Sequence, residues 1–579
     1  MDGQCKNMTK FEKLAELFSK LEEVSSSLKM IEILADFLKN ISPEEAKITA
    51  YLLKGKISAD YENIELGLAE KLVIRALALA TDKTPEEIQK HFHKLGDLGD
   101  TAYDLIKNKS SKLTITDVFE TFKKIAKASG KGSQEEKLNL LADLLKSASS
   151  IEAKYITRIV LGTLRLGVGE MTFLYGISKA LVGSKEAKKI LEHAYNVFSD
   201  LGEVVYQVLK YGIKHLEKAE PIVGVPIRMM LAQRIAEIAE IKKHIKNKVF
   251  VEYKYDGERI QAHIKNNEII LYSRRHENIT HQFPDVIESL KKAFDGKNAI
   301  LEGEVVAIDK KTGELQKFQI LMSRRRKYEI EKYSKEIPVK YFVFDILYLN
   351  NKSLLNENLL VRKEKLEQNL KENSGISIAK YIISEKENEI EDFFEEALAQ
   401  GAEGVVIKDS LSVYQAGIRG WNWIKFKKDY KKELVDTFDL VVVGALYGTG
   451  KRAGTYGSLL LASFDPKTNK YYTFTKVGAG FTDKDLEELP KILNKYKLKE
   501  KHRLVETEID ADVWFEPVKV LEVEGAEITI SPVHTVAKDL IKKGGLALRF
   551  PRFLRWRDDK SAEEATSVKE IYEIYKKSK

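Results

Sequence analysis

The sequence predicts a multidomain chain: an all-α N-terminal domain, an α+β middle domain and a small β-barrel C-terminal domain. Three observations point to this. Apolar residues recur at helical spacing through the first ~215 residues. β-like runs begin just after a proline and glycine cluster at Pro221–Pro226. Short strands separated by glycine-rich turns take over near Asp436. A chain of 579 residues also suits about three domains of ordinary size. The expected boundaries are 1–217, 218–432 and 433–579.

In the first domain, Phe11, Leu14, Leu17, Phe18 and Leu21 fall on one helical face. Ser42-Pro43-Glu44-Glu45 and Thr84-Pro85-Glu86-Glu87 read as helix starts. Each offers a capping hydroxyl, a proline in the first turn and acids at the positive end of the helix. Lys127–Gln134 reads as a loop between helices.

In the middle domain the β-like runs are Val249–Tyr253, Ile269–Ser273, Ala299–Ile308, Tyr341–Leu349 and Gly404–Lys408. Asn266-Asn267 marks a hairpin turn, and Glu389–Ala399 reads as helix. In the last domain, Leu440–Gly444, Ser458–Phe464, Tyr471–Val477 and Val518–Glu524 are short strands. Five or so such strands in ~120 residues suit a small Greek-key barrel such as an OB-fold.

Composition narrows the chemistry. A 43% hydrophobic share supports real cores, and a net charge of +8 is compatible with a polyanionic partner. The one cysteine, Cys5, rules out a disulfide framework or a cysteine-rich zinc site within the chain. No stretch approaches the ~20 apolar residues of a membrane span. The N-terminal MDGQCKNMTKFEK has no apolar core for a signal peptide. A cytoplasmic, nucleoid-associated protein with no membrane partner is expected.

The most chemical segment is Glu252-Tyr253-Lys254-Tyr255-Asp256-Gly257-Glu258-Arg259. It sets a lysine at a strand end, on a tight Asp-Gly turn, beside an arginine. A neutral lysine amine can attack phosphorus, whereas a protonated one cannot. Alone, the segment also fits an ordinary hairpin turn with surface charges. It does not stand alone. Ser273-Arg274-Arg275, Leu301-Glu302-Gly303-Glu304, Phe344–Tyr348, Glu403–Lys408, Trp423–Lys428 and Arg549-Phe550-Pro551-Arg552-Phe553 through Lys560 follow in order.

This series resembles the covalent nucleotidyltransferases, which comprise DNA ligases, RNA ligases and capping enzymes. Within them it is most similar to ATP-dependent DNA ligases of the archaeal and eukaryotic replicative type. The resemblance implies that Lys254 attacks the α-phosphate of ATP and forms a phosphoramide. Glu252 would read the adenine edge and Phe344 would offer the base a flat face. Arg259, Arg274 and Arg419 would contact phosphates, where planar guanidinium forks suit oxygen pairs. Glu304 would sit beside the ribose or a Mg²⁺ ion, and Glu403 at the metal. Lys425 and Lys427, which alternate along a strand, would both face the α-phosphate. Arg549, Arg552 and Arg557 would reach the pyrophosphate leaving group when the OB domain closes.

Glu65–Lys71 and Thr157–Glu170 resemble the DNA-binding domain of the same ligases, with Gly162 and Gly167 letting backbone amides approach phosphates. The expected partner is nicked double-stranded DNA, bound by a monomer. A sliding clamp is a further candidate, although Gln89-Lys90-His91-Phe92 is only a fragment of a clamp-binding box. Gly448-Thr449-Gly450-Lys451-Arg452 suggests a P-loop, but Ala445 and Arg452 stand where a glycine and a hydroxyl are needed. An RNA ligase or capping enzyme would not call for the N-terminal region. An NAD-dependent ligase would normally carry a four-cysteine zinc module. A non-catalytic nucleic-acid-binding scaffold would not need the complete Lys254 series.

Overall fold

A computed structural model describes residues 8–107, 110–181, 185–322, 324, 334, 336–427, 436–447, 456–525, 527–541 and 544–577. The chain divides into two compact units, Met1–Ala219 and Glu220–Lys579.

The first unit is helical, from Phe11–Glu22 to Leu201–Tyr211. Phe11, Leu14, Leu17, Phe18 and Leu21 are all buried on the inner face of its first helix. Ser42 and Thr84 both close capping boxes ahead of a proline. Glu45 N–H donates to Ser42 Oγ at 3.2 Å, and Glu87 N–H to Thr84 Oγ1 at 3.3 Å. The predicted loop at Lys127–Gln134 narrows to the residues between helices ending at Lys127 and starting at Ser133. Gly162, at φ 66°, ends the Ser150–Leu161 helix, and Gly167 is also left-handed at φ 64°. Arg158, just before that turn, is pinned by Glu22 at 2.7 Å and by Asp97 and Asp100, each at 3.1 Å. The Gln89–Phe92 fragment lies within the Pro85–Leu95 helix.

The second unit begins next to the predicted Pro221–Pro226 junction. Its strands are, in chain order, β1 (Leu231–Arg234), β2 (Val249–Lys254), β3 (Glu258–Lys265), β4 (Glu268–Ser273), β5 (Asn298–Ala307), β6 (Val339–Leu349), β7 (Lys352–Ser353), β8 (Ile376–Ile378), β9 (Tyr381–Ser384), β10 (Gly404–Asp409) and β11 (Arg419–Lys427). They form two sheets. One runs β1-β11-β10-β2-β9; the other runs β4-β3-β5-β6-β7, with β8 added on β6. The chain crosses from one sheet to the other between β2 and β3, through Tyr255-Asp256-Gly257. At the far end of β3, Asn266 and Asn267 both take positive φ, as a two-residue type I′ turn requires.

Each sheet has its own apolar core. Ile260, Leu271, Leu301 and Val343 pack with helix Pro284–Ala293 residues such as Leu290. Val251, Val405, Ile407 and Ile424 pack with Phe393 and Phe394 of helix Glu387–Ala399. Burial on opposite faces of strands of alternating pattern holds the two sheets in register and leaves their polar faces to line a cavity.

The remaining strands are β12 (Asp436–Tyr447), β13 (Tyr456–Asp465), β14 (Lys470–Val477), β15 (Lys497–Leu498), β16 (Val505–Glu506), β17 (Val513–Phe515), β18 (Val520–Gly525), β19 (Glu527–Ser531), β20 (Gly545–Arg549) and β21 (Arg552–Trp556). They curl around a core that includes Leu440, Leu461, Phe474, Phe515 and Leu521, as an OB-fold does. β12 pairs with β13 along one edge and, along the other, with β18 and then β17. The strand bends where its register shifts, between Val442 and Gly444. A side chain at Gly444 would meet Ala511 Cβ at 2.9 Å. The strands outnumber the five or so expected: β15, β16 and β17 are too short to carry an alternating pattern, and β19, β20 and β21 are further strands that the sequence reading did not single out. The expected boundary at 432/433 and the turn Gly448–Arg452 lie outside the described residues. Among the described residues, no helix is long and apolar enough to cross a membrane.

Candidate active site

The two middle sheets and the C-terminal barrel enclose a cavity of ≈ 190 Å³. Every residue of the middle domain singled out above for nucleotide or metal lines it: Glu252, Lys254, Arg259, Arg274, Glu304, Phe344, Glu403, Arg419, Lys425 and Lys427.

Lys254 ends β2, and two glycines make room around it. A Cβ on Gly257 would lie 2.2 Å from the Val305 carbonyl oxygen; one on Gly404, at φ 150°, would lie 2.2 Å from that of Phe426. Gly404 is the register partner of both Lys254 and Lys427, so the two lysines flank it. Both lysines meet Glu403: Lys254 Nζ donates to Oε2, and Lys427 Nζ lies 2.9 Å from the same oxygen. Burial alone would push the Glu403 carboxyl up, but Lys254, Lys427 and Arg555 outweigh it and hold it well below the usual range.

Glu304 contrasts with it. It is enclosed and has no ion-pair partner among the described residues. Burial pushes it up to about 8, with Lys254 and Arg259 opposing and Glu403 and Asp256 assisting. Lys425 is also displaced: burial, with Arg234, Lys560 and Arg419 nearby, takes its ammonium well below the ordinary lysine range.

The far end of the cavity is aromatic. Phe344 and Trp423 meet edge to face, with centroids 6.0 Å apart. Arg259 sits 5.4 Å from the Phe344 ring and 5.3 Å from that of Trp423. Its fork is mostly engaged. Nη1 donates to the Met230 carbonyl at 2.7 Å and Nε to Glu302 at 3.2 Å, while Tyr414 Oη donates to the other Glu302 oxygen at 2.8 Å. Glu252, also buried, lies 2.6 Å from Lys363 and 2.5 Å from Lys408.

The C-terminal barrel supplies the lid, and here the structure corrects the sequence reading. Arg549 is exposed, its Nε donating to Thr529 at 2.8 Å, and Arg552 is exposed as well; neither lines the cavity. Arg557 does, paired with Asp439 at 2.9 Å and Asp559 at 2.7 Å. Arg555, which stands in the quoted basic segment but was given no role, lines the cavity too. It reaches Glu522 at 2.6 Å, Asp256 at 3.1 Å and Glu403 at 3.5 Å. Strand alternation places Arg555 on the same face as Phe553, which belongs to the barrel core. A register shift opposite Glu522 and Val523 leaves Leu554 as an extra residue and turns Arg555 out of the core toward the cavity.

Phe553 and Trp556 pack against the barrel core, whereas Phe550 is 81% exposed. Other acids of this region hold cations of the middle sheets: Glu564 lies 3.3 Å from Arg274, and Glu570 lies 2.5 Å from Arg419. Lys408, Lys363, Glu302 and Asp256 also had no assigned role. Asp256 and Glu302 stood inside the quoted motifs, which was the available signal; Lys363 had none.

Comparison with known proteins agrees with this geometry. A family model described as "ATP dependent DNA ligase domain" matches residues 229–427. Models described as "DNA ligase N terminus" and "ATP dependent DNA ligase C terminal region" match residues 10–178 and 452–560. A DNA ligase of Sulfolobus acidocaldarius is 44% identical over 98% of this chain and 97% of its own length. One from Staphylothermus marinus is 44% identical over 98% of both chains. One from Hyperthermus butylicus is 44% identical over 98% of this chain and 97% of its own.

Proposed function

The chain belongs to the ATP-dependent DNA ligase family, and on that premise we propose that it seals nicks in duplex DNA through a lysyl-AMP on Lys254. The observation that carries this reading is the convergence of residues from Glu252 to Lys560 on one cavity around the Lys254 amine.

Three displacements follow. The Lys254 nitrogen attacks the α-phosphorus of ATP; a P–N bond forms, the bond to the β-phosphate bridging oxygen breaks, and pyrophosphate leaves. A 5′-phosphate oxygen at the nick then attacks the same phosphorus, and the P–N bond breaks. Finally the 3′-hydroxyl attacks the 5′-phosphorus and AMP departs. Charge builds on phosphate oxygens throughout, so the protein contributes mainly positioning and fixed positive charge. Lys425 and Lys427 suit the α-phosphate. Arg274 and Arg419 suit phosphates that displace Glu564 and Glu570 from them. Arg259, anchored by Glu302 beside the aromatic pair, suits the nucleoside end with its remaining amine edge. Arg555 and Arg557, on the barrel, suit the pyrophosphate that leaves in the first step.

Glu304 and Glu403 fit a Mg²⁺ ion. That ion is usually held by one or two carboxylates, with phosphates and water completing its shell. Among the described residues there is no cage of three or more carboxylate, histidine or cysteine ligands, as suits an ion that arrives with a nucleotide. Glu304, half-buried and without an ion pair among the described residues, is the natural acceptor. Bound there, the ion would neutralise charge on the transferring phosphate.

The helical unit would grip the duplex. Left-handed Gly162 has open space where a side chain would stand, so its backbone can approach a phosphate. We divide the chain at 217/218 and 432/433 into DNA-binding, adenylation and OB parts. It acts as a monomer, on the nucleoid in the cytoplasm.

The test is incubation with α-labelled ATP, GTP and NAD⁺ in parallel, followed by a chase with nicked DNA. Label from ATP alone, chased by the nick and absent in Lys254→Ala, is the expected result. Undiminished labelling of Lys254→Ala would sink the assignment.

A further inference from the structure

Strand β3 buries polar side chains on the face turned away from its core. Ile260, Ala262 and Ile264 point into the apolar core of that sheet. Strand alternation puts Arg259, Gln261 and His263 on the other face. Gln261 is 0% exposed and His263 1%, so both need partners there. They find them in the segment Gly224–Met230, laid across the strand in reverse order. Gly224 N–H donates to His263 Nδ1 at 3.0 Å. Ile227 N–H donates to Gln261 Oε1 at 2.9 Å, and the Ile227 carbonyl accepts from Gln261 Nε2 at 2.8 Å. The Met230 carbonyl accepts from Arg259, and Met230 N–H donates to Tyr414 Oη at 2.9 Å. Side chains thus lace an irregular segment to a strand, where backbone bonds would join two strands. At one end the segment meets Glu220, where the second compact unit starts. At the other it runs into Leu231 and Ala232, which line the cavity.

We infer that Gln261 is a positioning residue for the nucleotide, aided by His263. The two fasten the segment so that the Leu231-Ala232 wall and the Arg259 guanidinium stand ready for ATP. The inference rests on the reading that ATP occupies this cavity. A carboxamide suits the task. It donates and accepts at one peptide, as a neighbouring strand would, and so fixes both the place and the tilt of Ile227. Further along, the Met230 carbonyl takes one nitrogen of Arg259 while Glu302 takes another, which holds the guanidinium beside Phe344 and Trp423. Release of Ile227 would free that carbonyl and spread the wall and the arginine over several settings. ATP would then have to order them as it binds. Gly224 N–H needs an acceptor, and a neutral imidazole provides one at Nδ1. Burial pushes His263 down to about 3, which keeps it neutral at physiological pH. Linkage makes the effect reciprocal, so a bound nucleotide tightens the segment in turn.

The experiment uses the full chain, in two parts. The first compares hydrogen exchange in residues 221–230 of the unmodified protein before and after self-adenylation with ATP, the mass shift confirming that the nucleotide is in place. Exchange should slow about five- to tenfold, as one strengthened hydrogen bond implies. The second measures the apparent KM for ATP and the limiting rate of self-adenylation in Gln261→Met. The apparent KM should rise about five- to tenfold, with a limiting rate within about twofold of the unmodified protein. In an Arg259→Lys background the same change should add little to KM, because the arginine it positions is gone. Full additivity of the two changes overturns the inference. So does a Gln261→Met variant that melts earlier yet keeps the KM of the unmodified protein, because the amide then only holds the fold together. An exchange rate in 221–230 that adenylation leaves unchanged overturns it too, and this comparison decides alone if Gln261→Met does not fold. Failure of ATP to label Lys254 would overturn the parent reading instead; normal labelling with any of these negative results overturns only this one.

Discussion

Glu570, on the C-terminal helix, places its carboxylate 2.5 Å from the Arg419 guanidinium at the start of β11. An acid of the closing part thus occupies an arginine expected to bind phosphate. Burial would raise the Glu570 carboxyl, but Arg419, Arg234 and Lys425 outweigh it and bring it down to about 2. A lowered folded-state value means that the contribution to stability is complete above the unfolded value near 4.5. It is lost as pH falls through about 2. Denaturant melts of Glu570→Gln should show a deficit on the order of 2 kcal/mol at pH 7 that shrinks as pH falls from 5 toward 2. A deficit that grows on acidification contradicts the pairing.

The same contact predicts a kinetic effect. On the proposed role of Arg419, ATP takes it from Glu570, so Glu570→Gln should lower the KM for ATP in self-adenylation several-fold. Titrating ATP against the rate of pyrophosphate release checks it, and a raised KM would show that Glu570 helps to build the site.

The bulge on β21 makes a sharper prediction. Arg555→Met should slow self-adenylation about 10²–10³-fold, the usual loss for one fixed charge-stabilising donor. Sealing of a nick that already carries 5′-AMP should fall much less. Arg549→Ala and Arg552→Ala should leave self-adenylation near that of the unmodified protein. Single-turnover assays with and without pre-adenylated DNA separate the steps. Loss of adenylation in Arg552→Ala comparable to that in Arg555→Met would return the role to the residues the sequence suggested.

A fragment starting at Glu220, the start of the second compact unit, should fold and label itself with AMP. It should seal nicks poorly at physiological salt, because on the proposed reading phosphate contacts of the helical unit supply much of the grip on DNA. Titrating salt while measuring nick sealing by both forms checks this; equal efficiency assigns residues 1–219 another task.

Local chemistry made much of this protein legible in the sequence. The capping boxes at Ser42 and Thr84, the Asn266-Asn267 turn and the alternation of β2 and β10 are dictated by neighbours a few residues away, and each appears where the pattern places it. The candidate site was legible because a spaced series of motifs names its residues in order, and Glu252, Lys254, Glu304, Glu403 and Lys427 do converge on one cavity. Which charges meet was not legible. Glu570 on Arg419 and Glu564 on Arg274 join residues more than a hundred positions apart, and only the docking of the barrel on the middle sheets brings them together. Arg555 was hidden for a different reason. Alternation assigns it to the core face with Phe553, and one extra residue in β21 reverses that assignment. The acceptance of a bulge depends on the opposing strand β18, with Glu522 waiting for the guanidinium, and not on anything in the Arg552–Trp556 segment itself. Short-range sterics and periodicity determine the elements; partner strands and long-range charge decide which way their side chains face.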